Sequence, residues 1–220
     1  MSTEPSEDPQ KVRLLRSLLW GTITVALAGL AIFWALDNYL GNGSKTVRYS
    51  GEADIRSEFS LTDHTGQEVT QADYADRWQL VFFGFTHCPD ICPTTLAYMG
   101  SVLDLLGEDA DRLAPIFITV DPARDTVPVM AEYVSVFHPR LIGLTGTEAQ
   151  VADATRNFRA WYERTDDDSA PDGYFMAHAG HIYLMRPGGD YEDVYQEGGQ
   201  SPEVLAQNIR KRLGVRELTK

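Results

Sequence analysis

The sequence predicts an α/β sandwich built on a mixed sheet, and three observations lead there. Near-continuous apolar runs at Gln79–Phe85 and Ala114–Val120 have the length and composition of strands covered on both faces. Helical patterns follow them: Leu96, Met99, Val102, Leu103 and Leu106 recur at helical spacing after the first, and Pro128 opens a second helix over 128–137. A hairpin and a closing helix complete the chain, and strands alternating with helices form a sheet flanked by helices. The first strand also delivers Cys88 and Cys92 to the start of its helix, which narrows the architecture to a thioredoxin-like fold. Pattern defines architecture here, and function has to be read from the site.

Taken in order, residues 1–16 form a polar tail, and Met1–Gln10, with Pro5 and Pro9, is expected to be disordered. Leu18–Leu36 is a run of 19 residues without a charge, close to the ~20 that an apolar helix needs to cross a bilayer. Residues 17–40 are therefore expected to form one transmembrane anchor. Lys11, Arg13 and Arg16 precede it and Asp37 closes it, which keeps the N-terminus cytoplasmic and places the following domain outside. Trp20, Trp34 and Tyr39 suit the two interfaces. A cleaved signal peptide would have a shorter apolar region and an A-x-A site, and a mitochondrial transit peptide would not carry Glu4, Glu7 and Asp8. The expected location is a bacterial inner membrane, crossed once, with the domain periplasmic.

Residues 41–50, with Gly41-Asn42-Gly43-Ser44, read as a linker, and 51–220 as the domain. It opens with a short strand and turn over Phe59–Gly66, where His64 reads as a solvated turn residue. Gly107 ends the helix that carries the cysteines. Asp121–Thr126 is a loop, Leu141–Leu144 a short strand, and Thr147–Gln150 a capping box opening a helix to about Tyr162. Glu163–Gly173 is expected to be an acidic loop, and Asp166-Asp167-Asp168 within it lacks the ligand spacing of a calcium loop. A hairpin follows, His181–Met185 to Tyr191–Tyr195 through the turn Pro187–Asp190, and Ser201-Pro202 opens the last helix.

Hydrophobic residues make up 43% of the 220, enough for a proper core, so the cysteines are not needed as staples. The net charge of −13 excludes a nucleic-acid partner, whose phosphates require basic patches. Residues 1–36 carry three acids and three bases, so this acidity belongs to the domain.

Cys88 and Cys92 are the only cysteines, four residues apart, so a helix beginning here projects both sulfurs from one face. The helix dipole and its free N–H groups favour the thiolate, which is both nucleophile and metal ligand. Three readings stay open. An inert disulfide would close a very small loop and stabilise little. A thiol–disulfide oxidoreductase of this fold normally spaces its cysteines by two residues and places a proline before the facing strand; here His178-Ala179-Gly180-His181 precedes Ile182. A metal site needs soft ligands suited to Cu(I) and a third donor, for which His178 is best placed. Zinc usually takes four protein ligands in a structural site, and a fourth is not evident. His87 either tunes a thiolate or orients the loop, His138 suits a helix C-terminus, and His178 and His181 should face opposite ways. Asp121 and Asp125 read as acceptors that order their loop, with Asp121 near the edge of the site.

Four landmarks, in the same order over about residues 50–213, resemble the Sco/SenC family of copper chaperones. They are Thr86-His87-Cys88-Pro89-Asp90-Ile91-Cys92-Pro93, Thr119–Thr126, Phe137–Gly146, and Tyr174–His178 followed by Ile182–Gly189. The resemblance implies a thioredoxin-like domain on the outer face of an energy-transducing membrane, with Cys88, Cys92 and His178 as copper ligands. It implies Cu(I) as the bound ion, and Cu(II) once water or an exogenous ligand completes the site. The implied partners are copper-donor proteins and subunit II of cytochrome c oxidase, whose binuclear copper site would receive the metal or have its thiols reduced. Some members carry Asp before the ligand histidine, whereas this chain has Ala177. The readings that compete with copper delivery are a thiol–disulfide reductase, a peroxidase and a non-catalytic interaction module. The peroxidase is disfavoured because both cysteines share one helical turn.

Overall fold

The computed structural model describes residues 20–21, 27–29, 55–170, 172–196 and 198–214. The chain divides into two compact units, 1–52 and 53–220. In the first, residues 20–21 and 27–29 are helical and exposed. The rest of the expected tail, anchor and linker lies outside the described residues. Among the described residues, no helix is long and apolar enough to cross a membrane.

The second unit is the α/β sandwich. Its strands are β1 (Ser60–Asp63), β2 (Glu68–Thr70), β3 (Trp78–Gly84), β4 (Leu113–Thr119), β5 (Ile142–Thr145), β6 (Tyr162–Asp166), β7 (Tyr174–His178), β8 (His181–Met185) and β9 (Tyr191–Gln196). The helices are α1 (Ile91–Leu106), α2 (Val127–Phe137), α3 (Glu148–Phe158) and α4 (Pro202–Arg212). Seven strands form one sheet in the order β2-β1-β5-β4-β3-β8-β9. β3, β4 and β5 run parallel, and β8 returns antiparallel to β3. The two apolar runs become the central strands because strands covered on both faces must be apolar throughout: every residue of β4 is buried, as are the last six of β3. Phe82 and Phe117, opposite each other in the β3–β4 register, stack with ring centroids 6.0 Å apart.

Gly107 ends α1 with φ at 58°, a backbone conformation that L side chains rarely adopt. The capping box at Thr147 forms as expected, with the Thr147 N–H donating to Gln150 Oε1 at 2.8 Å and the Gln150 N–H to Thr147 Oγ1 at 3.2 Å. Ser201 is the N-cap of α4 but makes no side-chain bond to the helix backbone.

Two expectations need correction. β2 was absent from the sequence reading; its three residues are too few to show a period. The acidic segment Glu163–Gly173 expected to be a loop is strand over its first four residues and a connecting turn only after Asp166: β6 pairs antiparallel with β7, from Tyr162 opposite His178 to Asp166 opposite Tyr174. The preceding helix stops at Phe158, short of its expected end near Tyr162, because Arg159 turns left-handed with φ at 51°. That turn frees Tyr162 to start a strand whose outer residues are polar. This hairpin is a sheet of its own, separate from the seven-stranded one.

Candidate metal centre

The centre begins where β3 ends. Gly84 closes the strand, Phe85–Asp90 makes a tight connection, and α1 starts at Ile91. Gly84 has to be glycine, since a Cβ there would lie 2.6 Å from Cys92 Sγ and 3.0 Å from the Phe117 ring. Both sulfurs use backbone donors that the junction leaves free: the Phe85 N–H donates to Cys92 Sγ and the Cys92 N–H to Cys88 Sγ, each at 3.4 Å. Cys92 is fully buried and Cys88 half-buried, and both are free cysteines.

The third donor arrives from 86 residues away. β8 runs antiparallel to β3 with Ile182 opposite Phe82, so β8 begins beside the end of β3 that carries the cysteines. β7 ends at His178, just before β8. His178 Nε2 lies 3.1 Å from Cys92 Sγ, and Nδ1–H donates to the Ala179 carbonyl at 3.1 Å, which leaves the Nε2 lone pair directed at the sulfurs. Phe82 and Phe85 meet the imidazole edge-on, each with its centroid 5.7 Å away. The three ligand atoms, two sulfurs and one nitrogen, all lie within 4.8 Å of one another. Two thiolates and an imidazole are a soft donor set that fits copper, Cu(I) above all.

The pair's protons are unevenly held. The hydrogen bond from Cys92 lowers the Cys88 thiol well below its ordinary range; burial opposes this, while the N–H groups of Asp90 and Cys92 add to it. The same hydrogen bond, and burial, raise Cys92. Cys88, at the helix N-terminus and nearer solvent, is therefore the member of the pair that ionises more readily, and Cys92, in the core, the one that holds its proton more firmly.

Asp125, fully buried, secures the cysteine loop from behind. It accepts the Thr86 N–H at 3.0 Å, the Thr86 hydroxyl at 2.5 Å and the Thr119 hydroxyl at 2.5 Å. Burial raises its carboxyl even against these bonds. Asp121, also buried, accepts Tyr174 Oη at 2.9 Å and the Arg124 Nε–H. Both aspartates are thus the loop-ordering acceptors expected, and Asp121 reaches the hairpin that carries His178.

The other histidines stay outside the ligand group. His87 is exposed, with Nδ1 3.1 Å from the Thr86 hydroxyl. His138 caps α2 and lies 3.5 Å from Asp104. His181 begins β8, exposed. His64 is a correction: half-buried, it accepts the Gly143 N–H at Nδ1, 3.1 Å away, and so joins β1 to β5. Ala177 is exposed, on the strand face opposite His178. Among the described residues, Asp166–Asp168 enter no cluster of ligand atoms; Asp167 instead accepts the Ser169 N–H within its turn. Tyr174 and Arg124, which tie the hairpin to the body, were not singled out from sequence. The one available signal was the alternation of Tyr174, Met176 and His178 along β7.

Fold and centre together define a thioredoxin-like domain with a cysteine–cysteine–histidine group that could hold a metal ion. The chain belongs to the SCO1/SenC family, whose model matches residues 47–214. It is 45% identical over 211 residues to the mitochondrial SCO2 homologue of Mus musculus, covering 93% of this chain and 80% of that protein. Two structures solved with copper bound are also similar. ScoI of Bradyrhizobium japonicum is 38% identical with a TM-score of 0.66, the match covering 71% of this chain and 98% of that one. Yeast Sco1 is 33% identical with a TM-score of 0.66, the match covering 75% and 91%.

Proposed function

We propose that this chain is a membrane-anchored copper chaperone. Its cargo is Cu(I), held by Cys88, Cys92 and His178 and delivered to the binuclear copper site of cytochrome c oxidase subunit II. The observation that carries this reading is the convergence of the two sulfurs and Nε2 within 4.8 Å, in a family with relatives solved with copper bound. Cys88, the more readily ionised and more exposed thiol, takes the ion first. Cys92 then loses its proton as it ligates. His178 closes the set, with its tautomer held by the Ala179 carbonyl. Acceptor thiols replace these ligands one at a time. Oxidation to a Cys88–Cys92 disulfide removes both sulfur donors, so loading follows thiol redox state. In this reading residues 17–40 cross a bacterial inner membrane once and hold the domain on its outer face, close to a membrane-bound acceptor.

A second reading, reduction of the acceptor's disulfide, draws on the same uneven protonation. The Cys88 thiolate attacks the partner disulfide and expels one thiolate. Cys92, deprotonated, then attacks the mixed disulfide and releases the second, leaving an oxidised Cys88–Cys92 pair and a dithiol partner. His178 is dispensable to that chemistry. Titration of the full chain with Cu(I) under reducing conditions separates the two. Copper delivery predicts one tightly bound equivalent, weakened at least about ten-fold by His178→Ala and unchanged by His181→Ala. Weak binding indifferent to His178, together with reduction of a partner disulfide, establishes the reductase instead.

A further inference from the structure

The hairpin that carries His178 shares no strand pairing with the seven-stranded sheet, so side chains decide where it rests. Packing beneath it is incomplete. A groove of about 250 Å³ separates Tyr162, Arg164 and Met176 of the hairpin from Val120, Ala123 and Val151 of the body. Asp121, at the edge of this groove, makes the polar connection. It accepts the Tyr174 hydroxyl at 2.9 Å and the Arg124 Nε–H, both from buried or half-buried groups. Arg124 also reaches Asp172 at 3.3 Å, lies over the Tyr174 ring at 4.3 Å from its centroid, and over Phe85 at 5.9 Å. The Arg164 guanidinium lies 3.9 Å from the same Tyr174 centroid. Tyr174, Met176 and His178 occupy one face of β7. A shift at Tyr174 is therefore carried along the strand to the imidazole.

We propose that Asp121, Arg124 and Tyr174 form a latch that docks the β6–β7 hairpin and so sets how long His178 stays within reach of Cys88 and Cys92. They are positioning residues, acting through His178, and the role rests on the copper reading above. The sulfurs belong to the body and keep their places when the hairpin lifts; the imidazole leaves with it. Weakening the latch thus speeds copper release, and only while His178 is present.

The test loads the full chain with one equivalent of Cu(I) and follows transfer to a colorimetric Cu(I) chelator. Tyr174→Phe, which removes a single hydroxyl, should release copper about five-fold faster, the effect of one buried hydrogen bond. In a His178→Ala background the same substitution should change the rate less than about two-fold. Arg124→Gln should repeat the pattern. In the metal-free chain, the buried Cys92 thiol beside His178 should alkylate faster in both variants, by more than any fall in their urea midpoints accounts for. Parental release from both variants overturns the latch, as does equal acceleration with and without His178. A parent that binds no Cu(I) overturns the copper reading alone, and the Cys92 alkylation comparison then still decides the latch.

Discussion

The two halves of the metal centre are held by different means. Cys88 and Cys92 sit at a strand–helix junction inside the main sheet, where backbone N–H groups point at both sulfurs and the buried Asp125 anchors the loop through Thr86. His178 sits at the end of a two-stranded hairpin kept in place by the Tyr174–Asp121–Arg124 contacts and two aromatic edges. Backbone hydrogen bonds in a buried junction open only with the fold, whereas side-chain contacts over a groove open locally. In the proposed copper carrier, that division would let the sulfurs retain the cargo while the histidine leaves first when an acceptor arrives.

Substitutions can break or sharpen this contrast. The largest effect belongs to the sulfurs: Cys88→Ser and Cys92→Ser should each abolish tight Cu(I) binding while the circular dichroism spectrum stays parental, whereas His178→Ala only weakens binding. Near-parental affinity in either serine variant would remove the thiolate half of the centre. Next comes the anchor of the rigid half. Asp125→Ala leaves the Thr86 N–H and the Thr119 hydroxyl without their acceptor, and should cost about 1–3 kcal/mol in urea unfolding of the metal-free chain. A loss within error would mean that the loop is held without Asp125.

The smallest effect is in acid–base behaviour. An ordinary thiol loses its reactive thiolate as pH falls below ~8.5. The folded Cys88 pKa is lowered, chiefly by Cys92, so its alkylation rate should stay nearly flat as pH falls through 8 to 6. The sign follows directly: a depressed pKa preserves the thiolate at lower pH. Cys92→Ala removes the main donor and should move the fall in rate to higher pH. A parental rate that declines like that of a free thiol would show that Cys92 does not hold its proton toward Cys88.

Much of this was legible in the chain. The runs Gln79–Phe85 and Ala114–Val120 became β3 and β4, the cysteines landed at the first strand–helix junction, and Thr147–Gln150 formed its capping box. The β6 half of the hairpin was not legible. Its residues Glu163, Arg164, Thr165 and Asp166 are exposed and polar, so no buried alternation marks them as a strand. His64 was misread for a related reason: its partner, Gly143, lies 79 residues away.

What the sequence by itself determined is the local half of the protein. Apolar period sets strand or helix, and a four-residue spacing puts two sulfurs on one helical turn, because backbone geometry repeats over a few residues wherever it occurs. The chain pointed to His178 over His181, but only the tertiary structure decided that its Nε2 lies 3.1 Å from Cys92 Sγ and that Asp121 and Tyr174 meet. Those contacts join residues 86 and 53 positions apart. They depend on β8 returning antiparallel to β3 and on the hairpin folding over the body, and both follow from packing of the whole core.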